Sequence, residues 1–278
     1  MESIHIEKEN ESENLDKRNI LDISNERVFP PMIGDNAPLF VADTTMGKRK
    51  LTDYMGRWVV LFSHPGDFTP VCTTEFIAFA KVYPEFEKRN TALIGLSVDS
   101  TPSHLSWIHN IHRNTGIQIP FPIISDLNMN ISRKYGMVAP NVSNTKTIRK
   151  VFIIDPDQKI RAILEYPLET GRNIGEILRL LDALQFSDNN NLYTPANWLP
   201  NQPAIVPPPK TYNDILDNIN NSSGFNCIDW YLCFTQEGFP AQPMMFNDMN
   251  NVMMKNEQTN VNKNNMQFNN YGCFMRDL

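Results

Sequence analysis

Between about residues 31 and 190 the apolar positions of this chain fall into short continuous runs, separated by stretches with helical spacing. Trp58-Val59-Val60-Leu61-Phe62 and Ala92–Val98 read as buried strands, and Phe121–Ile124 as a shorter one. Thr147–Ile154 and Lys159–Tyr166 read as two strands joined by the turn Asp155-Pro156-Asp157-Gln158. The spacing predicts a helix over Glu75–Lys88 with Phe76, Phe79, Ala80 and Tyr83 on one face, and Pro84 should bend or interrupt it. A second helix is expected over Pro102–His112, with Leu105, Ile108 and His109 clustered on one side, and a short one over Met129–Tyr135. Asn173–Leu184 is amphipathic, with Ile174, Ile177, Leu178, Leu181 and Leu184 inward. Strands alternating with helices, then a hairpin and a helix, make this an α/β chain with a mixed sheet.

The flanks differ. Residues 1–30 are polar and acid-rich without periodicity, and read as a flexible arm. Pro203–Pro209 is too proline-rich for regular structure, Tyr231–Thr235 reads as a last strand, and residues 237–278 turn to Asn, Met and Gln, a composition expected to stay disordered. The expected division is therefore 1–30, a catalytic domain at 31–190, a C-terminal region at 191–236, and a tail at 237–278.

A chain of 278 residues, 41% hydrophobic, can bury a substantial core. Its net charge of −6 argues against nucleic acid or an anionic membrane as the main partner. No apolar run approaches the ~20 residues needed to span a bilayer. The first residues show neither an apolar h-region nor an Arg-rich pattern, so an intracellular compartment, cytoplasmic or nuclear, is the expectation. Four cysteines, Cys72, Cys227, Cys233 and Cys273, are too few for a secreted disulfide scaffold. Cys227 and Cys233 lack the spacing and nearby histidines of a zinc site, and no metal or cofactor is expected.

The chemistry concentrates in His64-Pro65-Gly66-Asp67-Phe68-Thr69-Pro70-Val71-Cys72-Thr73-Thr74-Glu75, directly after the first buried strand. Thr69 suits an N-cap and Pro70 the first helical position, which sets Cys72 in the first turn among unpaired backbone N–H groups. Those donors and the positive end of the helix dipole favour a thiolate. Pro65-x3-Thr69-x2-Cys72 resembles the signature of peroxiredoxins, the thiol peroxidases, and the fuller PVCTTE string resembles their one-cysteine, peroxiredoxin 6-like branch. The resemblance spans about Pro31 to Thr235, with Tyr193-Thr194-Pro195-Ala196-Asn197-Trp198 opening a segment similar to that branch's C-terminal region.

The resemblance implies a thioredoxin-like fold with peroxiredoxin insertions, a smaller C-terminal dimerisation region and a homodimer. It implies that Cys72 attacks hydrogen peroxide or an organic hydroperoxide and becomes a sulfenic acid. Thr69 would aim its hydroxyl at the peroxide, Pro65 would shield the sulfenic acid, and Arg149, in Ile148-Arg149-Lys150-Val151-Phe152, would bring a guanidinium to the sulfur. Glu75 would orient that arginine, and His64 would hydrogen-bond the sulfur. Each also has a plain local reading: Thr69 as a cap, Pro65 as a strand-ending turn, Glu75 as a first-turn acid, His64 as a strand-end residue and Arg149 as a solvated strand residue.

The Val-Cys-Pro string that carries the resolving cysteine of the two-cysteine branch is missing, so an external thiol, from glutathione or a thioredoxin system, is the expected reductant. An atypical two-cysteine enzyme using Cys227, Cys233 or Cys273 is the alternative. A redox sensor or holdase in which Cys72 oxidation changes assembly is a third reading. Where the family often has Arg, Gly66 stands. The lipase-like serine of some one-cysteine members is replaced by Arg57, which removes a phospholipase nucleophile. His104, His109 and His112 are expected on a solvated helix face rather than at a metal.

Overall fold

The computed structural model describes residues 30–220 and 224–238; the expected arm and tail, with Cys273, lie almost wholly outside the described residues. In chain order the elements are β1 (Val41–Ala42), β2 (Arg49–Lys50), β3 (Trp58–Ser63), α1 (Pro70–Lys81), α2 (Tyr83–Lys88), β4 (Thr91–Ser97), α3 (Thr101–Thr115), β5 (Ile123–Ser125), α4 (Asn130–Lys134), β6 (Arg149–Ile154), β7 (Ile160–Tyr166), α5 (Ile174–Asn190), α6 (Tyr212–Asn220), β8 (Phe225–Asp229) and β9 (Leu232–Thr235).

Five strands form the central sheet in the order β5-β4-β3-β6-β7. The pairs β3–β4 and β4–β5 are parallel; β3–β6 and β6–β7 are antiparallel. This mixed sheet is the thioredoxin-like arrangement that the resemblance implied. Every residue of β3, β4 and β6 is buried, which explains runs that are apolar throughout instead of alternating. Alternate residues of β3 serve opposite faces. Val60 and Phe62 pack with α1, α3 and α5, whereas Val59 and Leu61 pack with Phe40, Leu51 and Tyr135.

The helix expected through Lys88 begins at Pro70, where the Thr69-Pro70 pair puts its start, and is broken at Val82. Pro84 has no N–H to continue the ladder, so the break falls where the sequence puts it. Helix α3 does not turn the whole Leu105, Ile108 and His109 cluster inward; of the three, Ile108 packs against the core. His104, Trp107 and Ile111 are buried, while Leu105 is 46% exposed and His109 lies outward. The large flat rings of His104 and Trp107 fill the space beside β3, and that decides the helix's rotation over the pull of one leucine. In α5 the expected inward residues Ile174, Ile177, Leu178 and Leu181 are buried, and Leu184 packs against the same core.

After α5 the chain folds back as an irregular segment. Ile205 bridges both Tyr193 and Phe234, and β8 and β9 form a small hairpin. Cys227 and Cys233, directly paired across that hairpin, form a disulfide, a pairing that the sequence reading did not consider. Among the described residues no helix is long and apolar enough to cross a membrane.

Candidate active site

The site forms where β3 ends, α1 begins and β6 runs back alongside. Two residues past the antiparallel pair Phe62–Val151, β6 begins with Arg149, level with the loop that leaves β3 at His64. That loop, residues 64–69, delivers the chain to Pro70 at the first position of α1, so Cys72 is the third helical residue. Cys72 is fully buried. Its sulfur accepts a hydrogen bond from Arg149 Nη1 at 3.3 Å.

The same nitrogen donates to Glu75 Oε2 at 2.7 Å, and Arg149 Nε and Nη2 both donate to the Leu168 carbonyl, at 3.0 and 2.6 Å. Glu75 follows Cys72 by three residues, hence on the same face of α1. Its other oxygen, Oε1, accepts from the Arg172 backbone N–H at 2.8 Å and from Arg172 Nε at 2.9 Å, while Arg172 Nη2 reaches Oε2 at 2.7 Å. Burial raises the Glu75 carboxyl pKa, but the hydrogen bonds and charge of Arg172, then the charge of Arg149, outweigh it and hold the group below its ordinary value. Arg172 also donates to the Ser63 carbonyl at 3.0 Å and lies over the Phe62 and Phe79 rings.

Thr69 occupies the N-cap position, but its side chain makes no cap hydrogen bond. Its hydroxyl instead donates to the Gly66 carbonyl at 2.9 Å, closing the loop on itself. Pro65 is buried in the same connection. Phe68 adopts a left-handed backbone (φ 55°) and is 57% exposed at the loop's tip. His64 is completely buried, yet it does not bond the sulfur as expected. Its Nε2 faces Asp67 Oδ1 at 3.1 Å, Nδ1 has no partner, and its ring stacks on Trp107 at 5.2 Å.

Cys72, Arg149 and Glu75 are thus brought together as the motif and the resemblance implied, with Thr69, Pro65 and His64 on the adjoining loop. Sequence reading missed Arg172 and Asp67, and it placed His104 on a solvated face when its ring is fully buried against Asp67. Arg172 contacts Glu75 across 97 positions. An arginine immediately before the N-cap Asn173 was the only local signal. Among the described residues, the group spaced to hold a cation is His64, Asp67 and His104, whose ligating atoms lie within 4.8 Å of one another.

A buried cysteine in the first turn of a helix, on a thioredoxin-like sheet and with a guanidinium on its sulfur, defines a thiol-active centre. Comparison with known proteins gives the family. Residues 33–163 match the AhpC/TSA family, and residues 183–220 match the C-terminal domain of 1-Cys peroxiredoxin. Peroxiredoxin 2 of Caldanaerobacter subterraneus subsp. tengcongensis is 59% identical over 75% of this chain and 94% of its own. The peroxiredoxin of Aquifex aeolicus is 53% identical over 75% of this chain and 98% of its own. Among solved structures, yeast mitochondrial 1-Cys peroxiredoxin aligns with a TM-score of 0.66 at 45% identity, covering 75% of this chain and 100% of that one. A cysteine mutant of Peroxiredoxin 6 of Arenicola marina also aligns with a TM-score of 0.66, at 36% identity over 77% of this chain and 100% of its own. The chain belongs to the peroxiredoxin family and is a thiol-dependent peroxidase.

Proposed function

We infer that Cys72 is the peroxidatic cysteine of a one-cysteine-type enzyme. The observation that carries this is the 3.3 Å hydrogen bond from Arg149 to a fully buried Cys72 sulfur. The thiolate attacks the terminal oxygen of a hydroperoxide, the O–O bond breaks, and the leaving alkoxide or hydroxide takes up a proton. The products are Cys72 sulfenic acid and an alcohol or water. Arg149 donates to the charge that develops along S···O–O. With its own proton directed to the Gly66 carbonyl, the Thr69 hydroxyl serves the peroxide as an acceptor for its O–H. Pro65 closes the pocket against water, and Glu75 with Arg172 holds Arg149 in place.

An external thiol then attacks the sulfenic sulfur, releasing water and forming a mixed disulfide that a second thiol reduces. The yeast relative, whose structure concerns thiol resolution through glutathione and thioredoxin systems, supports that reductant class. The match of residues 33–163 to the AhpC/TSA family supports the catalytic domain we place at 31–190, and the match of residues 183–220 to a one-cysteine C-terminal domain supports the C-terminal region we place at 191–236 and a homodimer. The site of action we propose is the cytoplasm.

Cys72→Ser is the direct test. Oxidation by one equivalent of hydrogen peroxide, followed by dimedone trapping and mass spectrometry, should label Cys72 in the wild type and nothing in the variant. A variant that still consumes peroxide at the wild-type rate would overturn the assignment.

One observation favours a second reading. Cys227 and Cys233 already face each other as a disulfide. In reduced form, one of them would displace water from the Cys72 sulfenic acid, and the other would then displace Cys72, leaving Cys227–Cys233 for an external dithiol to reduce. Prereduced protein treated with one equivalent of peroxide discriminates. A Cys72–Cys227 or Cys72–Cys233 peptide supports the internal route, and a persistent Cys72 sulfenic acid cleared by glutathione supports the external one.

A further inference from the structure

Next to the thiol lies a buried polar cluster that the reaction above does not use. Asp67, on the loop carrying Pro65 and Thr69, has a side chain only 2% exposed, and the His64 and His104 rings are fully buried. Asp67 Oδ1 lies 3.1 Å from His64 Nε2 and 2.9 Å from His104 Nδ1. Its Oδ2 accepts from the Ser103 hydroxyl at 2.8 Å and also lies 2.9 Å from His104 Nδ1. The other nitrogen of His104, Nε2, faces the Ile124 carbonyl at 3.2 Å.

Carboxylate and carbonyl oxygens only accept, so each ring nitrogen that faces one must carry a proton. Both nitrogens of His104 face such oxygens, which makes it an imidazolium. His64 has a single nitrogen facing an acceptor, and Nδ1 is unpartnered. A second proton there would bury an unpaired charged donor, so His64 is the neutral Nε2–H tautomer. Burial lowers its pKa, and the Asp67 hydrogen bond and charge offset this only in part. Asp67 is itself held well below the ordinary carboxylate range, because hydrogen bonds from His104 and His64 outweigh its burial. The remaining charge nearby is Asp99, which accepts from the Asp67 backbone N–H at 2.9 Å and from Ser97 Oγ at 2.8 Å. Phe76 and Trp107 lie against the His64 ring.

We propose that His104 is a positioning residue of the peroxidase: as a buried imidazolium it keeps Asp67 ionised, clamps loop 64–69 to α3 and β5, and fixes His64 with its Nδ1 lone pair free. The clamp sets where Pro65 and Thr69 stand relative to Cys72, and so rests on the reading of Cys72 as the nucleophile. The ligating atoms are close enough for a cation, but protons alone account for every contact they make.

Long-range ¹H–¹⁵N spectra of the reduced, ¹⁵N-labelled full chain at neutral pH, assigned with His64→Asn and His104→Asn, test the charge states. His104 should show two protonated nitrogens, and His64 the Nε2–H tautomer. A neutral His104 or a Nδ1–H His64 overturns the proposal. So does stoichiometric zinc in the purified protein, since the metal would stand in place of those protons.

Kinetics test the consequence. The amide of His104→Gln reaches toward Ile124 and abandons Asp67, whereas His104→Asn still donates to Asp67. The second-order rate constant for hydrogen peroxide should fall about ten- to a hundredfold in His104→Gln, as misplaced catalytic loops do, and recover in part in His104→Asn. Wild-type rates in both variants, or an Asn variant as slow as the Gln variant, would refute the clamp. Failure of the underlying peroxidase reading is distinguishable: wild-type Cys72 would then resist one equivalent of peroxide.

Discussion

Arg149 Nη1 lies 3.3 Å from Cys72 Sγ and 2.7 Å from Glu75 Oε2, so one buried nitrogen joins the nucleophile to the carboxylate that orients it. The donor reaches the sulfur in a fixed position, because two further nitrogens of the same guanidinium are held by the Leu168 carbonyl. A group preorganised in this way does not reorganise when charge develops on the reacting oxygens.

Arg149→Met is expected to lower the rate constant of Cys72 oxidation by about 10²–10³, the range for removing one donor from a buried transition state. Stopped-flow tryptophan fluorescence against hydrogen peroxide measures it. Arg149→Lys should recover only part of the loss, because an ammonium cannot hold the sulfur, Glu75 and Leu168 together in one plane.

Glu75→Ala leaves two guanidinium groups facing a gap in a site where all three side chains are at most 2% exposed. Removing one partner of such a buried network should cost about 3–5 kcal/mol. Urea unfolding followed by circular dichroism would show the midpoint shift. Arg172→Met should reproduce much of it and also slow peroxide reduction, since Glu75 would lose both guanidinium bonds and keep only the backbone N–H of residue 172 on Oε1.

Acid should destabilise the protein in two stages. The folded pKa of His64 lies below its ordinary 6.5, so on acidification the unfolded chain takes up that proton first, and stability begins to fall below that pH. The folded pKa of Glu75 lies below its ordinary 4.5, so its contribution is intact above that value and is lost as pH falls through the folded pKa; Asp67 has the same sign. Thermal melts across the acid range should show both stages. His64→Asn should remove the first and Glu75→Gln should reduce the second.

Gly95→Ala should destabilise the fold by about 1–3 kcal/mol, the range for overpacking a core. The added Cβ would stand 3.1 Å from Phe76 Cζ. Phe76 cannot yield readily, because its ring is packed against Phe62, His64, Trp107 and Phe121. As Phe76 adjoins Glu75, the rate constant for peroxide should fall with stability; chemical denaturation and stopped-flow traces of the same preparation would report both.

The buried strands were legible because a sheet covered on both faces demands unbroken apolar runs such as Trp58–Phe62. Cys72 was legible because Thr69-Pro70 favours a helix start ahead of it. Arg149 came through the family resemblance and not from its neighbours. Leu105 misled, since spacing alone says which residues share a helix face but not which face meets the sheet. The Thr69 hydroxyl likewise took the nearby Gly66 carbonyl in preference to the cap that the local motif suggested.

What the amino-acid order determined by itself lies within a few residues of chain: the helix start that presents Cys72, the break before Pro84, the hairpin turn at 155–158, and Glu75 one turn beyond the sulfur. Tertiary structure alone decided that Arg172 would close on Glu75 across 97 positions and that His104 would meet Asp67 across 37. Local conformational preference fades within a turn or two of chain. Partners that far apart are chosen by how the sheet and helices pack, and by the need of each buried charge for an opposite one.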